Sequence, residues 1–245
     1  MLPITIGGTE QLSIPSNTFT REGYNFTGWN TKADGTGTSY AVGAEVTLTS
    51  DITLYAQWEA PKDTGIADGH EWVDLGLPSG TKWATCNVGA SSPEERGDYF
   101  TWGETTTKNN YIGSNASSSY YPSTLYLSQD AAYVNWGSSW RMPTKEEIDE
   151  LVNTSYTTWT WTTQNGVEGI IITSKTNGNS IFLRAAGNRR NYDLINAGLD
   201  GYYWSSSDNT TNHNLAYCLH YSEYLCRSSS CDLGYGCTIR PVLRE

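Results

Sequence analysis

Apolar and polar positions alternate in short runs along most of the chain. Gln11-Leu12-Ser13-Ile14 and Glu45-Val46-Thr47-Leu48 have the two-residue period of half-buried strands. Ile52-Thr53-Leu54-Tyr55-Ala56-Gln57-Trp58 repeats it, with Ile52, Leu54, Ala56 and Trp58 on one face. Asp34-Gly35-Thr36-Gly37 is a turn signal between strands, and Tyr24, Phe26 and Trp29 place three aromatics within six residues.

Residues 61–71 have linker composition. Beyond them Val73, Leu75 and Leu77 alternate into a Pro-Ser-Gly turn, and Lys82 to Asn87 returns as a second strand of a hairpin. A helix follows Trp140-Arg141-Met142-Pro143. Thr144 and Glu147 have capping-box spacing, and Ile148, Leu151 and Val152 form an apolar stripe at helical period. Glu146 and Glu147 suit a first helical turn, so they are assigned to capping and not to a catalytic carboxylate pair. Gly169 to Thr173 and Ser180 to Ala186 are short apolar strands joined by a Lys175 to Asn179 turn. Gly201 to Ser207 is a further strand, and Gly236 to Val242 reads as a closing one.

Two resemblances fit this division. Gly23-Tyr24, Phe26, Gly28-Trp29-Asn30, the Gly-rich turn and Leu54-Tyr55-Ala56-Gln57-Trp58 resemble the Listeria–Bacteroides (internalin-type B) repeat, with its opening strand shortened. The resemblance implies a small β-grasp-like module of bacterial surface proteins, used as a spacer. Val73-Asp74-Leu75-Gly76-Leu77-Pro78-Ser79-Gly80-Thr81-Lys82-Trp83-Ala84, Trp140-Arg141-Met142-Pro143-Thr144, Gly201 with Tyr203-Trp204-Ser205-Ser206, and Ile239-Arg240-Pro241-Val242 resemble the Fibrobacter succinogenes major paralogous domain. That resemblance implies a C-type-lectin-like fold of the formylglycine-generating-enzyme type. The expected class is therefore α+β: a β repeat over 1–60, a linker over 61–71, and a C-type-lectin-like domain over 72–245 with short sheets, few helices and long loops.

Composition narrows the function. The formal net charge is −11 with no Lys/Arg cluster, which argues against nucleic acid and anionic membrane as partners. No apolar run reaches the roughly 20 residues of a membrane span. Met1-Leu2-Pro3 has no basic n-region, so the leader of a secreted protein would lie outside these residues. Charged residues are only 17%, while Trp and Tyr number 10 and 17, a mix that suits aromatic recognition surfaces.

Catalytic signals are weak. There is no nucleophile elbow, no phosphate-binding Gly loop and no His pair at metal-ligand spacing; the histidines are His70, His213 and His220. The fold relatives implied above include a cysteine-oxidising enzyme. Cys231 and Cys237 are the pair to consider for it, but no general base accompanies them. Cys86, Cys218, Cys226, Cys231 and Cys237 do not form a disulfide framework or a common zinc spacing, so neither a metal nor a cofactor is expected. The Glu-Pro-Asn, Gln-Pro-Asp and Trp-Asn-Asp elements of calcium-dependent lectins do not occur.

One bias stands apart. Among the 58 residues from Ala185 to Val242, only Trp204 and Glu223 belong to the set Lys, Glu, Gln, Met and Trp. Residues 1–184 contain 33 of them, about 18%. Random bases at both adenines of AAC or AAT codons never yield those five residues. The segment thus resembles the variable region of a diversity-generating retroelement target. A Ser/Gly/Tyr-rich β domain that avoids long charged side chains by family habit stays open as the alternative.

In Ala216-Tyr217-Cys218-Leu219-His220-Tyr221, the family resemblance puts Tyr217, Leu219 and Tyr221 inside. Cys218, His220 and Ser222 then face out. The expected ligand surface is Tyr192, Tyr202, Cys218, His220, Tyr224, Leu225, Cys226, Arg227, Ser228, Cys231, Asp232, Tyr235 and Cys237. The expectation is a non-enzymatic, extracellular or cell-surface protein that binds a protein or glycan. The alternatives are a fixed-specificity glycan-binding or structural surface module and, less favoured, a formylglycine-generating-type oxidase.

Overall fold

The computed structural model describes residues 4–6, 11–21, 24–59, 63–112 and 123–244. Met1-Leu2-Pro3, Glu22-Gly23 and residues 60–62 of the segments read above lie outside them. The chain divides into two compact units, Met1–Pro61 and Lys62–Glu245. It is mostly β-sheet, with two α-helices among the described residues.

The first unit contains β1 (Ile4–Ile6), β2 (Gln11–Ser13), β3 (Asn25–Asn30), β4 (Ser39–Tyr40), β5 (Glu45–Thr47) and β6 (Ile52–Glu59). β1, β6, β3 and β4 form an antiparallel sheet in that order, and β2 pairs with β5. The alternation on β6 buries Leu54 and Ala56 with Ile14 and Trp29, and Trp58 packs beside them. Phe26 faces Trp58 edge to face at 5.7 Å, and the buried Trp29 indole donates to Pro15 O at 2.9 Å. A bulge between Phe26 and Gly28 requires glycine: φ is +146°, and a Cβ would stand 3.2 Å from Tyr40 O. Buried Asn30 organises the Asp34–Gly37 turn, accepting from the Lys32 and Gly37 amides and donating to Gly35 O.

The second unit opens with β7 (Thr64–Ala67), β8 (His70–Asp74) and β9 (Lys82–Ala84). The assignment of 61–71 to a linker is corrected here. Asp68 and Gly69 take φ of +46° and +80°, the two positive values of a tight hairpin turn, and β7 pairs with β8 along Thr64 to Ala67. The expected β8–β9 hairpin is present, with Val73, Leu75 and Leu77 buried.

Next come α1 (Ala131–Trp136), β10 (Trp140–Arg141) and α2 (Lys145–Leu151). The capping box of Thr144 and Glu147 is formed, and Ile148 and Leu151 are buried. Glu147 does more than cap. It takes both terminal nitrogens of Arg141 at 2.6 Å and the Thr81 hydroxyl at 2.7 Å, which fixes α2 to the β8–β9 turn.

β11 (Thr157–Gln164), β12 (Val167–Ser174) and β13 (Ser180–Arg184) form a meander whose second hairpin is the expected one. β14 (Asn188–Arg190) and β15 (Asp193–Ile195) form a short ribbon. β16 (Asp200–Asp208), β17 (Leu215–Ser222) and β18 (Leu225–Asp232) form a three-stranded sheet with β17 in the middle. β19 (Val242–Leu243) joins the sheet ordered β10-β19-β9-β8-β7. The expected closing strand is shorter than Gly236 to Val242. Cys237 and Thr238 make single bridges to Phe100 and Tyr203, and only Val242–Leu243 forms a ladder.

The β16–β17–β18 sheet partitions the interior of this unit. Trp204, Ala216, Cys218 and Cys231 point into one apolar cluster, with Phe100, Trp102, Trp136, Trp140 and Ile239. Tyr203, Leu219 and Tyr221 point into the other, with Val73, Trp83, Ile148, Leu151, Ile170 and Leu183. Apolar packing on both faces makes the inner part of the sheet a rigid base for what its outer end presents.

Candidate functional site

Cross-strand register determines which side chains of this sheet meet. Trp204, Tyr202 and Asp200 on β16 stand opposite Cys218, His220 and Ser222 on β17. Those in turn stand opposite Ser229, Arg227 and Leu225 on β18. All share one face. Its Trp204–Cys218 end is buried, whereas at the other end Tyr202 and His220 are half-buried and Arg227 is exposed.

Tyr202 and His220 stack with centroids 4.3 Å apart and planes 9° off parallel. His220 Nε2 lies 3.5 Å from Asp200 Oδ1 without hydrogen-bond geometry. Arg190 of β14 lies close enough to Tyr202 for its charge to act on the hydroxyl, and its guanidinium lies 4.4 Å over the Tyr235 ring. Burial pushes the Tyr202 hydroxyl up to about 12, and Asp200 adds to the shift. This phenol is therefore a neutral hydrogen-bonding group at physiological pH.

Tyr202, His220, Leu225 and Arg227 are thus candidate residues that the fold places on one face, with Ser229, and Tyr235 is tied to them through Arg190 alone. Tyr224 stands in the β17–β18 turn, 85% exposed. Tyr192 is 71% exposed, and its hydroxyl accepts from Asn110 Nδ2 at 3.2 Å.

The remaining candidates are corrected. Cys218, Cys231 and Cys237 are buried, because this face of β17 lies over an apolar cluster for half its length. Cys218 and Cys231 touch sulfur to sulfur at 2.8 Å as free thiols. Cys226, Ser228 and Asp232 alternate with Arg227, so they take the opposite face, and Cys226 packs on the second cluster. Tyr217, expected inside, is half-buried, and Lys145 Nζ lies 5.2 Å over its ring.

A second feature was not legible from local spacing. A polar cleft of about 680 Å³ is lined by Arg96, Tyr99, Lys108, Arg184, Arg189 and Tyr192, among others. Its cations come from three separate segments of chain. Arg189 and Arg190 are successive on β14, so one strand supplies the cleft and the stacked patch from its two faces.

No solved structure gives a significant match to the chain. A protein of Evansella cellulosilytica that carries the name Gly-rich membrane protein is 44% identical over 57 residues, which is 22% of this chain and 7% of that protein. The chain thus spans about 7% of the length of that relative. Residues 4–57 match the Listeria-Bacteroides repeat domain family, and the match coincides with the first unit, Met1–Pro61. The N-terminal unit is therefore a Listeria-Bacteroides repeat domain.

Proposed function

We propose that the second unit is a non-catalytic, C-type-lectin-like ligand-binding head, and that the N-terminal repeat is its spacer in an extracellular or cell-surface protein. The ligand is a protein or a glycan. The observation that carries this reading is the open end of the β16–β17–β18 sheet. There Tyr202, His220, Leu225 and Arg227 share one face next to a packed base, and the Arg190 charge, itself over the Tyr235 ring, reaches Tyr202. Stacked aromatics with cationic neighbours on a rigid support are the make-up of interface hot spots. The name of the Evansella relative and the N-terminal repeat are consistent with a surface location.

We further propose that the segment from Ala185 to Val242 is diversified by a retroelement. The avoidance of Lys, Glu, Gln, Met and Trp supports this. So does the position of Arg190, Tyr202, His220, Leu225, Arg227 and Tyr235, all of which fall inside that segment.

Two experiments test these readings. The whole chain is applied to glycan and protein arrays beside a Tyr202→Ala, Arg227→Ala, Tyr235→Ala variant. The expected result is a ligand bound by the parent chain and lost by the variant, and an unchanged binding profile sinks the site. Sequencing around the gene is expected to find a near-identical template copy of codons 185–242, differing at adenines, beside a reverse transcriptase gene. Without that copy the residue bias is a habit of the family.

A further inference from the structure

The cleft beside Tyr192 runs against the charge of the chain. The protein carries −11 overall, yet the cleft is lined by Arg96, Lys108, Arg184 and Arg189 against Glu95 and Asp98 alone. Two of these charges are occupied elsewhere. Lys108 pairs with Glu104 at 2.8 Å, and Glu95 accepts from the Ser91 amide and hydroxyl at 2.8 and 3.0 Å. Among the described residues, Arg96, Arg184 and Arg189 pair with no carboxylate.

The three guanidiniums gather around Tyr99, a buried residue whose hydroxyl donates to Ala186 O at 2.6 Å. Arg189 lies 5.1 Å over its ring, and Arg184 is held by Glu94 O at 2.5 Å. Burial, and then the nearby Arg96, lowers the affinity of the Arg184 guanidinium for its proton. Like charges held together in a partly desolvated cleft repel, and a bound anion relieves that cost. The planar fork of arginine fits a carboxylate with two parallel hydrogen bonds.

The rest of the lining selects the class of anion. Thr107 and Asn109 are polar, and Leu194 is the main aliphatic side chain. Peptide docking depends on apolar anchors seated in pockets, which this cleft does not offer. A sugar needs hydroxyl partners and an aromatic face, and Tyr192 stands 71% exposed at the rim. The volume, about 680 Å³, lies in the range of small-ligand sites.

We infer that this cleft binds a carboxylated sugar, a uronic or sialic acid residue, with its carboxylate on the Arg96, Arg184 and Arg189 set and its ring beside Tyr192. The inference rests on the second unit being a ligand-binding head and gives a ligand class to one part of it.

The test is calorimetric titration of the whole chain with D-glucuronate and N-acetylneuraminate, with D-glucose and N-acetylmannosamine as uncharged counterparts. At least one acid is expected to bind about 10-fold or more tightly than its counterpart, and which acid does so identifies the source. Arg96→Gln with Arg189→Gln is expected to remove that preference, while circular dichroism shows the fold kept. Equal binding of acid and neutral sugar overturns the proposal, as does a preference that survives in the Arg variant. Binding of oligoglutamate but of neither sugar acid overturns the sugar class. Tyr202→Ala with Arg227→Ala separates the two sites: it is expected to leave uronate or sialate binding intact even if it abolishes array binding.

Discussion

Tyr202 and His220 are direct cross-strand partners on β16 and β17, and their rings lie flat on one another at 4.3 Å. The pair marks the point where the sheet changes from dry to wet. The next pair on the same face, Trp204 and Cys218, is fully buried. An aromatic pair in this position stabilises the sheet, and under the proposed function it would also present a surface to the ligand.

Removing one ring tests both roles. Tyr202→Ala is expected to lower unfolding stability by about 1 kcal/mol, the usual worth of a cross-strand aromatic contact at a half-exposed site. It is also expected to abolish array binding, whereas Tyr224→Ala, at the exposed turn tip, costs little stability. Urea melts of the two variants make the comparison. A stability loss near zero for Tyr202→Ala indicates that the stacking is incidental.

The cysteines give an independent check on orientation. Burial pushes the Cys218 and Cys237 thiols well above their ordinary range and Cys226 up to about 12. Iodoacetamide at pH 8 acts through the thiolate, so Cys218 and Cys237 are expected to stay unmodified in the native protein; Cys231, whose thiol its Cys218 and Cys237 neighbours hold well below the ordinary range, is kept from the reagent by burial alone. All five cysteines are expected to react in urea. Mass spectrometry of peptides reads the result. Native labelling of Cys218 or Cys231 at the rate of half-buried Cys86 restores the outward orientation that simple alternation predicts.

That orientation shows where sequence is informative here and where it is not. Alternation on β6 and the capping box of α2 are local patterns, and both hold in the structure. On β17 alternation assumes one wet face. The strand has apolar clusters on both sides, so the pattern cannot tell Cys218 from His220. Consecutive residues from Leu225 to Ser228 cannot share one surface, because the pleat sends Cys226 and Ser228 away from Arg227. The Arg96, Arg184 and Arg189 cleft had no local signature, because its cations meet only after the chain has folded.

Glu147 gives the fold a specific acid sensitivity. Burial alone would raise its pKa, but Arg141, the Thr144 amide and the Thr81 hydroxyl outweigh burial and hold the carboxyl below its ordinary 4.5. A lowered folded value means that its contribution is complete above pH 4.5 and is lost as pH falls through the folded value. Glu147→Gln is therefore expected to cost about 3 kcal/mol at pH 7 and much less at the acid end. Chemical denaturation at several pH values reads this. An equal cost across the range shows that the carboxylate charge is not what fixes α2.

The division of the chain makes the last prediction. β7 lies before residue 72, and its hairpin holds more than its own strand. The Trp140 indole donates to Ala67 O at 2.9 Å, and the Ser139 amide donates to Asp68 Oδ2 at 3.0 Å. His70 stacks on Trp136 at 3.6 Å. A fragment of residues 62–245 keeps these contacts and is expected to unfold cooperatively by itself. A fragment of residues 72–245, cut at the boundary that composition suggests, loses a backbone ladder, a buried indole partner and an aromatic stack. Each is worth on the order of 1 kcal/mol, so the shorter fragment is expected to melt several degrees lower. Equal melting temperatures would mean that β7 and β8 up to Glu71 are a linker after all.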